Sequence, residues 1–232
     1  MISLVMPAFN EEKIIKNNVA KALGYLKSNF ARYELIIVND GSTDKTAEVL
    51  SDMDISLITL PYNMGKGAAL KQGLLSAKGD NIFFTDCDLP YSLDFIKQGQ
   101  ILLKQCDMVC GIRDGGYPAL RSVLSAGYNS FARNILMLDV RDLQCGIKGF
   151  SKSAAKSICS ECTIKGFAMD TEVVFLATQM GFKIAQLDVK VFHRSNSTVK
   201  IISDGIEMLA DVLKIRNNFE AGGYHTREGA TG

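Results

Sequence analysis

The chain opens on a short apolar run at residues 2–6 and returns to such runs at 34–39, 55–60, 81–85 and 108–112. Each is too short for a buried helix and rich in Ile, Val, Leu or Phe, which reads as a strand covered on both faces. Between the runs, helices are predicted over 11–29, 44–52, 65–77 and 93–104, with Asp44 placed to cap the second. Strand alternating with helix predicts an α/β fold: a Rossmann-like, mostly parallel central sheet with helices on both faces. Ligands of such sheets gather outside the carboxyl ends of the strands.

Beyond residue 112 the pattern changes. Helices are predicted over 117–138, 168–180 and 199–217, and a strand over 184–192. In the first of these helices Leu120, Leu124, Phe131, Ile135 and Leu138 form an apolar stripe whose gap Tyr128 fills. Arg121, Ser125, Asn129 and Arg133 recur every fourth residue as a polar stripe. Such an apolar stripe more often faces a core than a bilayer interface. No repeat or low-complexity linker divides the chain, so residues 1–218 read as one domain with halves at 1–112 and 113–218. The Gly-rich end, 219–232, reads as a flexible tail.

A content of 47% hydrophobic and 22% charged residues describes a globular chain with a substantial core. No apolar stretch reaches membrane-spanning length, and Met1-Ile2-Ser3-Leu4 looks like a strand rather than a signal peptide. Neither signal-directed export nor anchoring by the chain's own helix is expected. A net charge of +1 argues against nucleic-acid binding. Yet seven of the eight arginines follow Cys110, and guanidinium forks suit phosphate oxygens. The six cysteines form no matched CxxC pair and only His193 and His225 accompany them. Reduced thiols in a cytoplasmic compartment are expected, without a structural zinc.

Polar motifs sit at successive strand ends. Pro7-Ala8-Phe9-Asn10-Glu11 follows the first strand; a loop capped by Asn10, with Glu11 complementing a helix dipole, would account for it equally. Asn39-Asp40-Gly41-Ser42-Thr43-Asp44 ends the second, as a turn or with Asp40 meeting a nucleobase edge. Asn63-Met64-Gly65-Lys66-Gly67 precedes a helix, where glycines permit close backbone approach and Lys66 offers charge to an anion. Asp86-Cys87-Asp88 closes the fourth strand. On an extended backbone its two carboxylates project to one side, where they could grip Mg²⁺ or Mn²⁺ together with a diphosphate. A plain turn after a buried strand is the alternative.

Val5-Met6-Pro7-Ala8-Phe9-Asn10-Glu11, Val38-Asn39-Asp40-Gly41-Ser42-Thr43-Asp44, Gly65-Lys66-Gly67-Ala68-Ala69-Leu70 and Asp86-Cys87-Asp88-Leu89 together resemble the inverting family 2 glycosyltransferases of GT-A fold. The second half resembles the polyprenyl-phosphate branch, the dolichyl-phosphate mannose and glucose synthases. That likeness rests on Gly111-Ile112-Arg113, the 121–133 stretch and Asp142-Leu143-Gln144-Cys145-Gly146-Ile147-Lys148-Gly149-Phe150. Gly166-Phe167-Ala168-Met169-Asp170-Thr171-Glu172 and 194–200 continue it.

The resemblance implies transfer of a hexose from a nucleotide-diphosphate sugar, of UDP-glucose or GDP-mannose type, to a polyprenyl phosphate with inversion. It assigns Pro7, Ala8, Phe9, Asn10, Glu11, Asp40, Lys66, Asp86 and Cys87 to the nucleotide, and Asp86 and Asp88 to Mg²⁺ or Mn²⁺. Arg113, Arg121 and Ser125 match acceptor-phosphate positions, and Asp142 would orient the acceptor, completing a catalytic set with Asp86 and Asp88. The acceptor is already an anion, so positioning and charge stabilisation suffice without a strong base. Pro90 replaces a glutamine of the metal shell in some relatives, and Asn196 a usual glycine before Ser197.

The expected surroundings are the cytoplasmic face of a membrane, met peripherally through its surface or a small membrane partner subunit. A homo-oligomer is compatible. A soluble or glycan acceptor, or a non-catalytic nucleotide-sugar-binding protein, are the competing readings. A nucleotidyltransferase would need a long Gly-rich, Arg-Lys-bearing first loop, which Pro7-Ala8-Phe9-Asn10-Glu11 is not.

Overall fold

The elements follow the chain as β1 (Ile2–Ala8), α1 (Ile15–Asn29), β2 (Tyr33–Asn39), β3 (Ser56–Thr59), α2 (Lys66–Ser76), β4 (Asn81–Thr85) and α3 (Asp94–Leu102). Then come β5 (Met108–Arg113), α4 (Ala119–Leu136), β6 (Ile147–Ser151), α5 (Lys152–Glu161), α6 (Met169–Gln179), β7 (Ile184–Val189) and α7 (Ile201–Glu220). The structure is a computed structural model. It describes residues 1–114, 119–192 and 201–225, with side chains outside the description at 119–122 and 201–204.

Among the described residues seven strands form one sheet in the order β3-β2-β1-β4-β6-β5-β7, parallel except for β6, which runs antiparallel to both neighbours. Side chains alternate across the sheet with the period of two that a strand imposes. Thus Ile2, Leu4, Met6 and Ala8 pack with α1 and α3 residues such as Val19 and Phe95. Val5 points the other way, into a core with Leu70 of α2 and residues of α4 to α7. Ala8 lies opposite Asn39 and Thr85 opposite Ile147, so the ends of β1 and β2 are flush and the start of β6 meets the exit of β4.

Several differences from the sequence pattern matter. Neither β6 nor α5 was foreseen. Lys148 and Gly149 interrupt the apolar run of β6, and α5 begins on Ser151, whose hydroxyl accepts from the Ala154 amide. The strand inserts between β4 and β5, so chain order and spatial order part there.

The helix expected over 44–52 is only a single 3-10 turn, Glu48–Leu50. Asp44 does not cap it. Its carboxylate accepts from the Thr46 amide and hydroxyl and from the Glu12 amide, local bonds that compete with helix. The predicted 11–29 helix likewise starts only at Ile15.

The apolar stripe of α4 splits. Leu138 is buried just past its end, and Phe131 and Ile135 pack on the core, whereas Leu124 is exposed beside Val123. At the far end α7 continues to Glu220. Tyr224, 5% exposed, donates to Glu172 at 2.8 Å. Residues 219–225 are therefore docked rather than a free tail, while 226–232 lie outside the described residues, as does the 194–200 stretch.

Candidate active site

The loops after β1 and β2 are stitched to each other. Asn10, at φ 56, donates its amide to Ser42 Oγ at 2.9 Å and accepts from the Thr43 amide at 2.8 Å. Pro7 and Ala8 are buried in the strand, whereas Phe9 and Asn10 are exposed and Glu11 half-buried. Asp40 is 3% exposed, and its carboxylate accepts from the Met64 and Gly65 amides at 2.8 and 2.9 Å. Burial raises its pKa, the two amides pulling the other way. In this arrangement Asp40 shapes the 63–65 loop. A base edge would share those oxygens with the loop.

Gly65 has φ +98, and a Cβ there would run into the Lys165 carbonyl. That carbonyl accepts from the Gly67 and Ala68 amides at 2.7 and 3.3 Å. The first amides of α2 are thus already taken by the chain's own backbone. Lys66 alone carries charge to the cleft from this element.

The segment 86–89 turns rather than extends. Leu89 has φ 49 and its amide donates to the Asp86 carbonyl at 3.1 Å. Cys87 points into the core, and its carbonyl accepts from Asn18 Nδ2 at 3.0 Å. Its thiol is pushed well up by burial and then by Glu11, Asp88 and Asp86, so only its backbone can reach a ligand. Asp86 and Asp88 flank it, both half-exposed.

Asp88 bears on Glu11, whose pKa is raised by burial first, then by Asp88 and Asp44. Asp86 packs against Gly146, where a Cβ would overlap its Oδ2. Tyr91 fixes that approach, its hydroxyl accepting from the Gly146 amide at 3.1 Å.

Among the described residues no three His, Cys, Asp or Glu side chains form a metal-binding group. The carboxylate pair nevertheless fits a hard cation. Asp86 and Asp88 supply oxygen donors in an excess of negative charge, and Mg²⁺ is usually held by one or two carboxylates plus substrate phosphates.

A buried ion-pair ladder runs back from this pair. Lys66 Nζ lies 2.7 Å from Asp86 Oδ1 and 3.3 Å from Asp170 Oδ2. Lys148 Nζ lies 2.7 Å from Asp170 Oδ1 and donates to the Cys145 and Leu143 carbonyls at 2.7 and 3.2 Å. Burial opposes the Lys66 charge, but Asp86 and Asp170 outweigh it and raise its pKa. Neither Lys148 nor Asp170 was assigned a role from the sequence. The available signal was a lysine within Ile147-Lys148-Gly149-Phe150, because an ammonium buried in a strand requires an acidic partner.

A second constellation stands at the exit of β5. Arg113 Nε and a terminal nitrogen grip Asp142 at 2.6 and 2.7 Å, and the same terminal nitrogen donates to Ser125 Oγ at 2.8 Å. Ser125 in turn donates to Gln144 Oε1 at 3.0 Å. Burial works against both charges, yet each partner outweighs it: Arg113 is raised and Asp142 lowered. Arg113, Ser125 and Asp142 are thus brought together. Arg121 lies on the same helix as Ser125, with its side chain outside the described residues. An open groove of about 870 Å³ runs from Arg113 along Ser125, Asn129 and Arg133 of the polar stripe to Arg141.

A mostly parallel sheet with a carboxylate pair at its central strand exit and an arginine-serine site beside it defines a GT-A glycosyltransferase. Residues 3–159 match the model of glycosyl transferase family 2. The chain belongs to that family and is an enzyme of it.

It is 33% identical to a dolichyl-phosphate beta-glucosyltransferase of Trichomonas vaginalis, over 98% of this chain and 76% of that protein. The human dolichyl-phosphate beta-glucosyltransferase is 28% identical over 98% of this chain and 78% of its own length. Among solved structures, glucosyl-3-phosphoglycerate synthase of Mycobacterium tuberculosis, in complex with Mn²⁺, UDP and glucosyl-3-phosphoglycerate, superposes with TM-score 0.73 at 22% identity. That match covers 94% of this chain and 80% of that one, and at such identity it speaks for the fold. Among the described residues no helix is long and apolar enough to cross a membrane.

Proposed function

We propose that the enzyme transfers glucose from UDP-glucose to a polyprenyl phosphate of dolichyl type, with inversion and assisted by Mg²⁺ or Mn²⁺. The observation that carries this reading is the joint placement of two unlike sites at one sheet edge. The Asp86–Asp88 carboxylates end β4 and the Arg113–Ser125–Asp142 cluster ends β5, separated by the start of β6. The names of the relatives support the donor sugar and the lipid acceptor.

In this reading Pro7 to Glu11 and Asp40 border the nucleotide, Glu11 adding negative charge beside Asp88. Asp86 and Asp88 would hold the metal, which supplies Lewis-acid stabilisation of the departing diphosphate. Arg113 and Ser125 receive the acceptor phosphate, with Arg121 on the same helix. Asp142 acts through Arg113, fixing the plane of its guanidinium at the head of the groove.

The phosphate oxygen is the nucleophile, and no protein base has to be charged for the step. The chain's residues contribute alignment of two anions that would otherwise repel. Attack opposite the leaving group turns an α-linked donor into a β-linked product.

The chain would act as one domain, with a donor half at 1–112 and an acceptor half at 113–218. It would work peripherally at the cytoplasmic face of a membrane. Exposed Val123 and Leu124 of α4 and Ile206, Leu209 and Leu213 of α7 offer an apolar face to lipid or to a small membrane subunit.

The test is a panel of UDP- and GDP-sugars offered with Mg²⁺ or Mn²⁺ and a short polyprenyl phosphate. Glucolipid formed from UDP-glucose is the expected result. A panel yielding no glycolipid, or turnover only with a soluble acceptor, would overturn the proposal.

A further inference from the structure

The ion-pair ladder behind Asp86 is more than packing. We infer that Lys66 is a place-holding cation on the metal-facing carboxylate of Asp86, kept within reach by Asp170 and Lys148, which makes metal binding wait for the donor. This rests on the reading of Asp86 and Asp88 as metal ligands and adds an order of assembly to it.

The four groups differ in how firmly they are held. Lys148 is 0% exposed and has three acceptors, Asp170 Oδ1 and the carbonyls of Leu143 and Cys145, so its ammonium is fixed. Asp170, 6% exposed, is fixed in turn by Lys148 and presents its second oxygen to Lys66. Lys66 is the movable member. It extends from the first residue of α2 on a four-carbon stem and reaches Asp86 at 2.7 Å while remaining 3.3 Å from Asp170. The Phe167 ring lies 6.0 Å from the same ammonium, a cation-accepting surface beside the Asp170 position.

Charge counting gives the consequence. Asp86, Lys66, Asp170 and Lys148 sum to zero without substrate. A dication arriving alone must share Asp86 with an ammonium already bound to it, and displacing Lys66 leaves that charge to Asp170, which Lys148 already neutralises. A nucleoside diphosphate removes the obstacle, because the released ammonium then faces phosphate oxygens while Asp170 retains its other side. Metal and nucleotide therefore bind with positive coupling, and the coupling is reciprocal.

The experiment titrates the full chain with Mn²⁺, following free Mn²⁺ by electron paramagnetic resonance, with and without UDP. Wild type, Lys66→Met and Lys66→Arg are compared, and melting curves show that each is folded. UDP should tighten Mn²⁺ binding to wild type about tenfold or more, within the usual range of coupling between sites. Without UDP, Lys66→Met should bind Mn²⁺ about tenfold more tightly than wild type, and added UDP should then tighten it by a smaller factor than in wild type. Lys66→Arg, which keeps the cation, should behave as wild type.

If Lys66→Met without UDP binds Mn²⁺ no more tightly than wild type, Lys66 is only a structural tie and the inference falls. If no variant binds Mn²⁺ even with UDP, the assignment of Asp86 and Asp88 falls first and the inference with it.

Discussion

Replacing Asp142 by Asn separates the roles of the Arg113 cluster. The side chains of Arg113 and Asp142 are 12% and 9% exposed, and the carboxylate also accepts from the Arg113 and Gln144 amides at 3.2 Å. Breaking a buried pair from one side costs about 3–5 kcal/mol, because a charge remains buried without its partner. The groove beside Arg113 admits some water, so a cost of about 3 kcal/mol is the better expectation. For a chain of this size that lowers the melting temperature by about 6–12 °C.

The paired variant Arg113→Met with Asp142→Leu leaves no orphaned charge and should recover most of that loss. It should not recover use of the lipid phosphate, which needs the guanidinium itself. Circular-dichroism melts and steady-state kinetics with varied polyprenyl phosphate read the two effects separately.

The pH dependence has a definite sign. The pKa of Asp142 is lowered in the fold, so its stabilisation is complete above the unfolded pKa and is lost as pH falls through the folded value. The melting gap between wild type and Asp142→Asn should stay constant near neutrality and close only below about pH 4. An Asp142→Asn protein that melts within about 1 °C of wild type, with unchanged acceptor kinetics, would refute the reasoning.

Asp88→Asn should abolish transfer while shifting stability by no more than about 0.5 kcal/mol, as for a half-exposed position, and an active variant at ordinary metal concentrations would remove Asp88 from the site. Gly146→Ala places a methyl group on the Asp86 carboxylate. It should lower the transfer rate about 100-fold by displacing that group, and wild-type turnover would contradict the packing described. Tyr224→Phe deletes the phenol bonded to Glu172, costing about 1.5–3 kcal/mol and speeding amide exchange in the last turn of α7, with transfer unaffected.

The strand exits that carry Asp40, Asp86 and Asp88 could be read from the sequence because their determinants are local. Apolar runs ending in Asn39-Asp40 or Asp86-Cys87-Asp88 declare both a strand and what stands at its exit, and a parallel sheet gathers those exits at one edge. What escaped depends on partners distant in sequence. Nothing near Lys66 announces that the Lys165 carbonyl will occupy the α2 amides, or that Asp170 will share the ammonium.

Strand β6 was hidden by its own composition, since Lys148 and Gly149 spoil the apolar pattern that identifies its neighbours. The 44–52 segment failed for the opposite reason. Its helical periodicity is real, but Asp44 and Thr46 spend their hydrogen bonds on the loop after β1. Arg113 and Ser125 were named together as acceptor residues, and a guanidinium nitrogen of Arg113 joins them directly. The bidentate hold of Asp142 on Arg113 was not legible, because it links the exit of β5 to a loop 29 residues on.

The central claim is a single displacement at the anomeric carbon by a lipid-borne phosphate. Its most direct test is the configuration of the sugar phosphate formed from UDP-glucose labelled with ¹³C at C1, read by nuclear magnetic resonance on the purified lipid product. A β-linked glucosyl phosphate is predicted. An α-linked product, or glucose released to water with none on the lipid, would contradict it.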